Sequence, residues 1–171
     1  TVSSSAFADS VSLQTPFGTL DVTGTISGTG DASITLDANT TINLSADINT
    51  EGDTITFNDN VVIDAAVSLN TTLNGNAGGA TATFLGTLEA TSDTNAESLT
   101  VNAGTSGDLS FAGTVDAVEA RDSMALTGNN VTVSNTADVD GTLTISAGSR
   151  VDFDNTADIA GTLTIDAGTV D

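Results

Sequence analysis

Hydrophobic and polar residues alternate along the C-terminal part of the chain. Within residues 131–150, apolar side chains occupy every second position of three short runs, 131–133, 137–140 and 142–146, and mostly Thr and Asp lie between them. Successive side chains of a β-strand point to opposite faces, so this period of two predicts short strands with one apolar face. No segment of the chain has a convincing helical period. The pattern therefore predicts an all-β fold.

The alternating segment is repeated. Residues 131–150, VTVSNTADVDGTLTISAGSR, are followed directly by residues 151–170, VDFDNTADIAGTLTIDAGTV, and twelve of the twenty aligned positions are identical. Substitutions at the apolar positions are conservative, as in Val139 and Ile159, whereas the polar positions exchange freely among Thr, Ser and Asp. This contrast distinguishes a buried face from a solvated face.

Three such strands cannot bury their apolar face alone, but a coil can do so when it stacks on the next coil. We therefore predict a parallel β-solenoid, or β-helix, with three short strands per coil. Residues 20 apart should lie on each other, which also places Asn135 on Asn155 as an amide ladder. The residues expected to be buried in stacked columns are Leu143, Ile145, Val151, Phe153, Ile159, Leu163 and Ile165.

A longer period precedes the repeat. Phe57, Phe84 and Phe111 are equally spaced along the chain, and the heptapeptide FLGTLEA at Phe84 matches FAGTVDA at Phe111. We therefore expect coils of about 20 residues in the repeat and of up to about 27 residues before it. The longer coils should carry loops at 73–80 and near 91–96. About seven coils fit the chain, and all six Phe are expected to fill the core.

The composition restricts the possible partners. The 171 residues include no Cys, Lys, His, Trp or Tyr, and Arg121 and Arg150 are the two basic residues against 23 acidic ones. The formal net charge of −21 repels nucleic-acid phosphates and anionic membrane surfaces. No apolar run approaches the roughly 20 residues of a membrane helix. We expect neither a nucleic-acid partner nor membrane insertion.

Catalysis has to be judged from residues, because parallel β-helices include polysaccharide lyases and hydrolases. Lyases need a basic residue near the bound acid, and hydrolases need positioned carboxylates. Arg121 and Arg150 are the candidates for the former. The segment 135–138, Asn-Thr-Ala-Asp, resembles the Asn-Thr-Asp element of pectin hydrolases, but it has an extra Ala, recurs at 155–158 and lacks a His. We predict no enzyme activity, no catalytic residues and no cofactor.

Metal binding is one alternative. Five carboxylates lie on two consecutive coils, and hard oxygen ligands suit calcium. The Gly-Gly-x-Gly-x-Asp pattern of calcium-binding solenoids is absent, however. We interpret these side chains as surface and turn residues and assign no metal ligand. They are Asp138, Asp140, Asp152, Asp154 and Asp158.

Ice binding is a second alternative. Thr-x-Thr motifs begin at Thr54, Thr81, Thr142 and Thr162, and they resemble the outward Thr rows of some ice-binding solenoids. The longer coils are expected to break these rows, and exposed Thr is a favoured strand residue in any case. The motifs are therefore interpreted as ordinary strand surface.

Several runs carry a family resemblance, among them AESLTVNAG (96–104), DLSFAGTVDA (108–117) and GTLTIDAG (161–168). They resemble the repeat regions of filamentous-haemagglutinin-like adhesins and other large bacterial β-strand-repeat surface proteins. The resemblance extends over most of the chain. It implies right-handed parallel β-helices that form exported stalks, fibres or adhesive surfaces, and hence a secreted, extracellular or cell-surface location.

The function that these patterns favour is structural. We expect residues 1–171 to be a single solenoid domain, a segment of a longer protein or a polymerising subunit, that serves as an adhesin-like extracellular fibre, stalk or surface-assembly segment. Open coil ends predict self-association. A cell-surface or glycan partner is compatible with this role. The alternative is a ligand-binding module for carbohydrate, calcium or ice, although the chain lacks the Trp and Tyr that sugar sites often use.

Overall fold

The computed structural model describes residues 1–2, 5–91, 97–117 and 123–171. Of these described residues, 64% lie in strands and 2% in helix, and the parallel sheets form a β-solenoid of about 7 turns with about 22 residues per turn. The predicted all-β parallel solenoid is therefore confirmed. Its origin is the period-two alternation, which gives each short strand one apolar face that only a neighbouring coil can help to cover.

Eighteen strands lie within the described residues, and every pairing between them is parallel. A single turn of 3-10 helix occupies Leu73–Gly75. In chain order, β1 to β18 are Ser5–Thr15, Leu20–Val22, Ile26–Ala38, Thr41–Leu44, Ile48–Asn49, Ile55–Phe57, Asn60–Ile63, Ala66–Asn70, Ala82–Phe84, Leu88–Ala90, Ser98–Asn102, Leu109–Phe111, Val115–Ala117, Ser123–Val133, Ala137–Val139, Thr142–Phe153, Ala157–Ile159 and Leu163–Val170.

Each coil has three faces. Face 1 is a seven-stranded sheet of β2, β4, β7, β10, β13, β15 and β17. Faces 2 and 3 belong to one eleven-stranded sheet, in which β5, β8 and β11 form the middle of face 2 and β6, β9 and β12 the middle of face 3. The long strands β1, β3, β14, β16 and β18 run along both faces. Residues 148–150, which follow the predicted strand 142–146, thus lie at a register shift inside β16, between Ala147 and Arg150.

Coil length varies without loss of alignment. On face 1, the spacing between successive partners is shortest from β4 to β7 and longest from β7 to β10 and from β10 to β13. The extra residues lie at corners, and the predicted loop at 73–80 is one of them. Of the other predicted loop, near 91–96, residues 92–96 lie outside the described residues. The residues at one shared register position of this face are Leu20, Ile42, Val61, Leu88 and Val115.

A stack of aromatic rings runs through the core behind face 3. Phe57, Phe84 and Phe111 pair in register, as their equal spacing predicts, and all three are buried. Consecutive ring centroids are 4.6 and 4.8 Å apart, with interplanar angles of 11° and 12°. Such small angles mean that these coils stack with little rotation between them.

Not every Phe belongs to the core. Phe7 and Phe153 are partly buried against it, but Phe17 is 86% exposed. The expectation that all six Phe fill the core is therefore wrong for Phe17. The reason is local, because Phe17 lies in the bend before β2 and not at an inward position of a strand.

The two 20-residue copies pair as predicted. Leu143 lies opposite Leu163, Ile145 opposite Ile165 and Val139 opposite Ile159, in parallel strands. The side chains of Asn135 and Asn155 do not form the predicted amide ladder. Instead, the Oδ1 atoms of Asn135 and Asn155 each accept a hydrogen bond of 2.9 Å from the next backbone N–H, which stabilises the turn.

The predicted burial of these columns is correct for the earlier copy and incomplete for the later one. Leu143, Ile145 and Val151 are buried, and Phe153, Ile159 and Ile165 are partly buried. Leu163 is 45% exposed, so its predicted burial is wrong. A column residue needs a coil on each side, and among the described residues Leu163 has a coil on one side only.

This difference makes a matched test. Leu143 and Leu163 occupy the same position of the repeat, but Leu143 is only 3% exposed. Leu143→Asp should lower the free energy of unfolding by at least about 3 kcal/mol, because it buries an unpaired charge. Leu163→Asp should cost about 1 kcal/mol. Urea unfolding at low protein concentration measures both, and equal losses would contradict the assigned stacking.

Candidate functional site

One side of the solenoid carries regularly spaced hydroxyl groups. On face 3, one outward column holds Ser or Thr in five successive coils, from β3 to β14. The neighbouring outward column holds them in three coils and continues with Asp108 and Asn130. We call this surface the hydroxyl face. Its first column contains Ser33, Thr54 and Thr81, and its second column contains Thr35, Thr56, Thr83, Ser110 and Thr132.

The hydroxyl face corrects one expectation. The longer coils were expected to break the Thr rows, yet Thr56 pairs directly with Thr83, and Thr83 with Ser110. The rows stay aligned because the longer coils carry their extra residues at corners, outside the strands of face 3. The other two Thr-x-Thr motifs, at Thr142 and Thr162, lie on face 2 and are also in register.

A column of carboxylates runs along face 1. Glu89, Asp116, Asp138 and Asp158 occupy the same outward register position of four successive coils. We call it the acidic column. Parallel strands are about 4.8 Å apart, so neighbouring carboxylates of the column repel one another.

Two carboxyl groups have a raised pKa, one of them in the acidic column. Burial, and then the charges of Asp138, Glu89 and Asp140, raise the pKa of Asp116 above its ordinary value of 3.8. At a different corner, burial and the charge of Asp31 raise the pKa of Asp53, although the backbone N–H of Ala32 acts in the opposite direction.

The five carboxylates considered for calcium do not converge. Asp138 and Asp158 lie in the acidic column, whereas Asp152 lies on face 3, where it accepts a hydrogen bond from Arg150. Among the described residues, no group of three or more His, Cys, Asp or Glu side chains is arranged to hold a metal ion.

Of the two Arg residues considered for catalysis, Arg150 is engaged in structural contacts. The Arg150 guanidinium donates hydrogen bonds to the carboxylates of Asp152 and Asp171, the latter at 2.9 Å, so it holds the last coil to the preceding one. Arg121 lies outside the described residues. The Asn-Thr-Ala-Asp segment forms the turn capped by Asn135.

A shallow groove follows the corner between faces 2 and 3. It consists of two adjoining cavities of about 360 and 310 Å³ that share Gly104, Thr105 and Thr127. Both are lined by small side chains, with Asp166 as the one charged residue. Neither lining includes an aromatic ring, so the groove offers a sugar no stacking surface. The remaining lining residues are Thr72, Gly75, Ala77, Asn102, Gly128, Ser146, Ala147 and Gly148.

Three polar residues are buried among the described residues, Thr50, Thr71 and Glu97, and none of them was predicted from the sequence. Glu97 is 1% exposed, and it is the buried ionisable side chain among the described residues. Glu97 lies two residues before Leu99 and four before Val101, so the alternation of the strand places its side chain on the same inward face. The burial of Glu97 could therefore have been predicted from the sequence. Thr71 closes the 71–80 loop, since its Oγ1 donates to the Ala80 carbonyl at 3.0 Å and accepts from the Ala80 N–H at 2.8 Å. Nothing in the sequence distinguishes Thr71 from the many other Thr residues.

Comparison with known proteins adds no family. No protein-family model, curated protein or solved structure matches this chain. Within the described residues, no helix is long and apolar enough to cross a membrane.

The acidic column predicts a pH dependence of stability. A raised carboxyl pKa in the folded state destabilises the protein above that pKa, and the penalty disappears below 3.8, where both states are protonated. The free energy of unfolding should therefore rise as the pH falls from 7 towards about 4. Asp116→Asn should raise it at pH 7 and flatten the pH profile.

Asp166→Asn is the matched control, because it removes the same charge beside Ser146 instead of beside another carboxylate. Thermal melts of the three proteins from pH 7 to pH 4 distinguish local repulsion from net charge. An equal gain in both variants would refute the local repulsion.

Proposed function

We propose that this chain is a structural rod segment of an extracellular fibre, stalk or cell-surface assembly. The observation that supports this proposal is the uninterrupted stack of about seven coils around one apolar core. At about 4.8 Å per coil the rod is about 34 Å long. A rod of this kind holds the groups at its two ends a fixed distance apart. Added coils lengthen the rod and extend the same apolar core.

The chemistry of the surface supports the same role. Among the described residues, the side chains proposed from sequence for catalysis or calcium binding lie on different faces or serve turns and ion pairs. The chain has no Cys and a net charge of −21. These properties suit a secreted, highly soluble protein, and the resemblance to filamentous-haemagglutinin-like repeats favours a bacterial, adhesin-like context.

The last coil supports the further proposal that copies associate end to end. Leu163 and Val170 are 45% and 53% exposed there, and both strands of that coil present an edge. An open strand edge beside apolar side chains pairs readily with another coil. We propose that the coil pairing with this edge belongs to a second copy of this chain.

End-to-end association predicts that mass rises with concentration. Leu163→Asp should reduce the association, because it places a charge on the stacking surface. Leu85→Asp is the control, since Leu85 is similarly exposed, at 52%, but directly follows β9 on the side of the rod. Sedimentation together with negative-stain electron microscopy measures both.

The wild type and the Leu85 variant should form rods that lengthen as the protein concentration rises. The Leu163 variant should not. A concentration-independent monomer, or equal loss in both variants, would overturn the end-to-end contact. Particles without an elongated form at any concentration would overturn the structural rod itself.

A further inference from the structure

We propose that the hydroxyl face binds ice. This inference goes beyond the rod function and does not depend on it. Ice binding requires a surface that is flat, regular, uncharged and free to form hydrogen bonds.

The hydroxyl face is regular in two directions. Along the rod axis, Thr35, Thr56 and Thr83 are in-register partners of successive coils. The ring centroids directly behind them are 4.6 and 4.8 Å apart, which gives the repeat of the backbone in this direction. Along each strand, outward residues two apart repeat at about 6.7 Å. The axial repeat is close to the shorter repeat of oxygen positions on a prism face of hexagonal ice. The repeat along the strand is shorter than the longer ice repeat, and rotation of the Thr side chains about χ1 can take up the difference.

The same aromatic stack keeps the surface flat. Phe57 and Phe84 directly follow Thr56 and Thr83 in their strands, and their ring planes differ by only 11°. Little rotation between these coils means that the outward side chains of successive strands stay in one plane. Because the rings are fully packed in the core, the plane is also held against bending.

The hydroxyl groups are available to a ligand. Within the described part of the chain, no protein hydrogen bond involves the side chains of Thr35, Thr56 and Thr83, nor those of Thr54, Ser110 and Thr132. Thr81 Oγ1 accepts one weak bond from the Asp108 N–H at 3.4 Å. Each free hydroxyl can both donate to and accept from ordered water, while the Thr methyl groups fill the spaces between.

Charge favours ice over other occupants. The chain carries −21, yet all eight positions of the hydroxyl face are neutral. The carboxylates at its margins are bound by amides: Asp37 accepts from Gln14 Nε2 at 3.0 Å, and Asp108 accepts from Asn130 Nδ2 at 2.8 Å. A cationic partner would meet only Asp108 and Asp152, which continue the two columns and already accept hydrogen bonds from Asn130 and Arg150, respectively. A flat sugar surface would ordinarily meet aromatic rings, and the three rings behind this face are buried.

The test is incorporation into a slowly growing ice front, with serum albumin as the non-binding protein. The wild-type chain should be enriched in the ice and should slow ice recrystallisation. The double variant Thr56→Lys with Thr83→Lys should lose both properties, because two long side chains interrupt the plane. Thr83→Lys alone is the milder variant if the double variant does not fold, as judged by circular dichroism and melting.

The matched control is Thr100→Lys with Thr144→Lys, two exposed Thr on face 2. These substitutions add the same charge and should leave ice incorporation unchanged. Exclusion of the wild type from ice, or equal loss in the control variant, would overturn the proposal. Binding to insoluble cellulose or chitin that requires Thr56 and Thr83, without incorporation into ice, would overturn it in favour of a polysaccharide surface.

Discussion

Parallel, in-register hydrogen bonding between successive coils is the constraint on which the rest of this molecule depends. It places each residue on the residue at the same position of the next coil. Inward positions are apolar, so the alignment produces continuous columns and one core. The close stacking of Phe57, Phe84 and Phe111 follows from this register, and so does the alignment of the outward Thr side chains.

The same constraint also aligns groups that repel each other. The acidic column is as well ordered as the Phe stack, and the raised pKa of Asp116 is its electrostatic consequence. Burial of the apolar columns offsets this cost, since each buried Leu, Ile or Phe contributes about 1.5–3 kcal/mol. The fold therefore tolerates a high negative charge, provided that the charges stay on outward positions.

Much of the fold could be predicted because similar segments recur at regular spacing in the sequence. The 20-residue copies indicated the register of β16 and β18, and the Phe spacing indicated that of β6, β9 and β12. End effects were not visible in a pattern: Leu163 has the same sequence context as Leu143 and a different environment. Position relative to a strand was also needed to place Phe17 outside the core.

The surfaces were harder to predict than the core. Sequence spacing alone suggested that the longer coils disrupt the Thr rows, because it does not show where the additional residues are placed. The corner loops absorb them, and Gly104 marks such a corner, where its φ of 75° and contact with the Gly78 backbone leave no space for a side chain. The hydroxyl face and the corner groove both result from this placement, so neither could be derived from motif spacing.

Disulfide trapping tests the in-register stacking most directly, because the chain has no Cys of its own. Thr83→Cys with Ser110→Cys places two thiols on paired residues, whose Cα atoms lie about 4.8 Å apart, within the range of a disulfide. Thr83→Cys with Ala112→Cys is the control, with a diagonal separation of about 8 Å. The first pair should form an intramolecular disulfide in the monomer under mild oxidation, and the second should stay reduced. A disulfide in the control pair and none in the paired position would contradict the stacking.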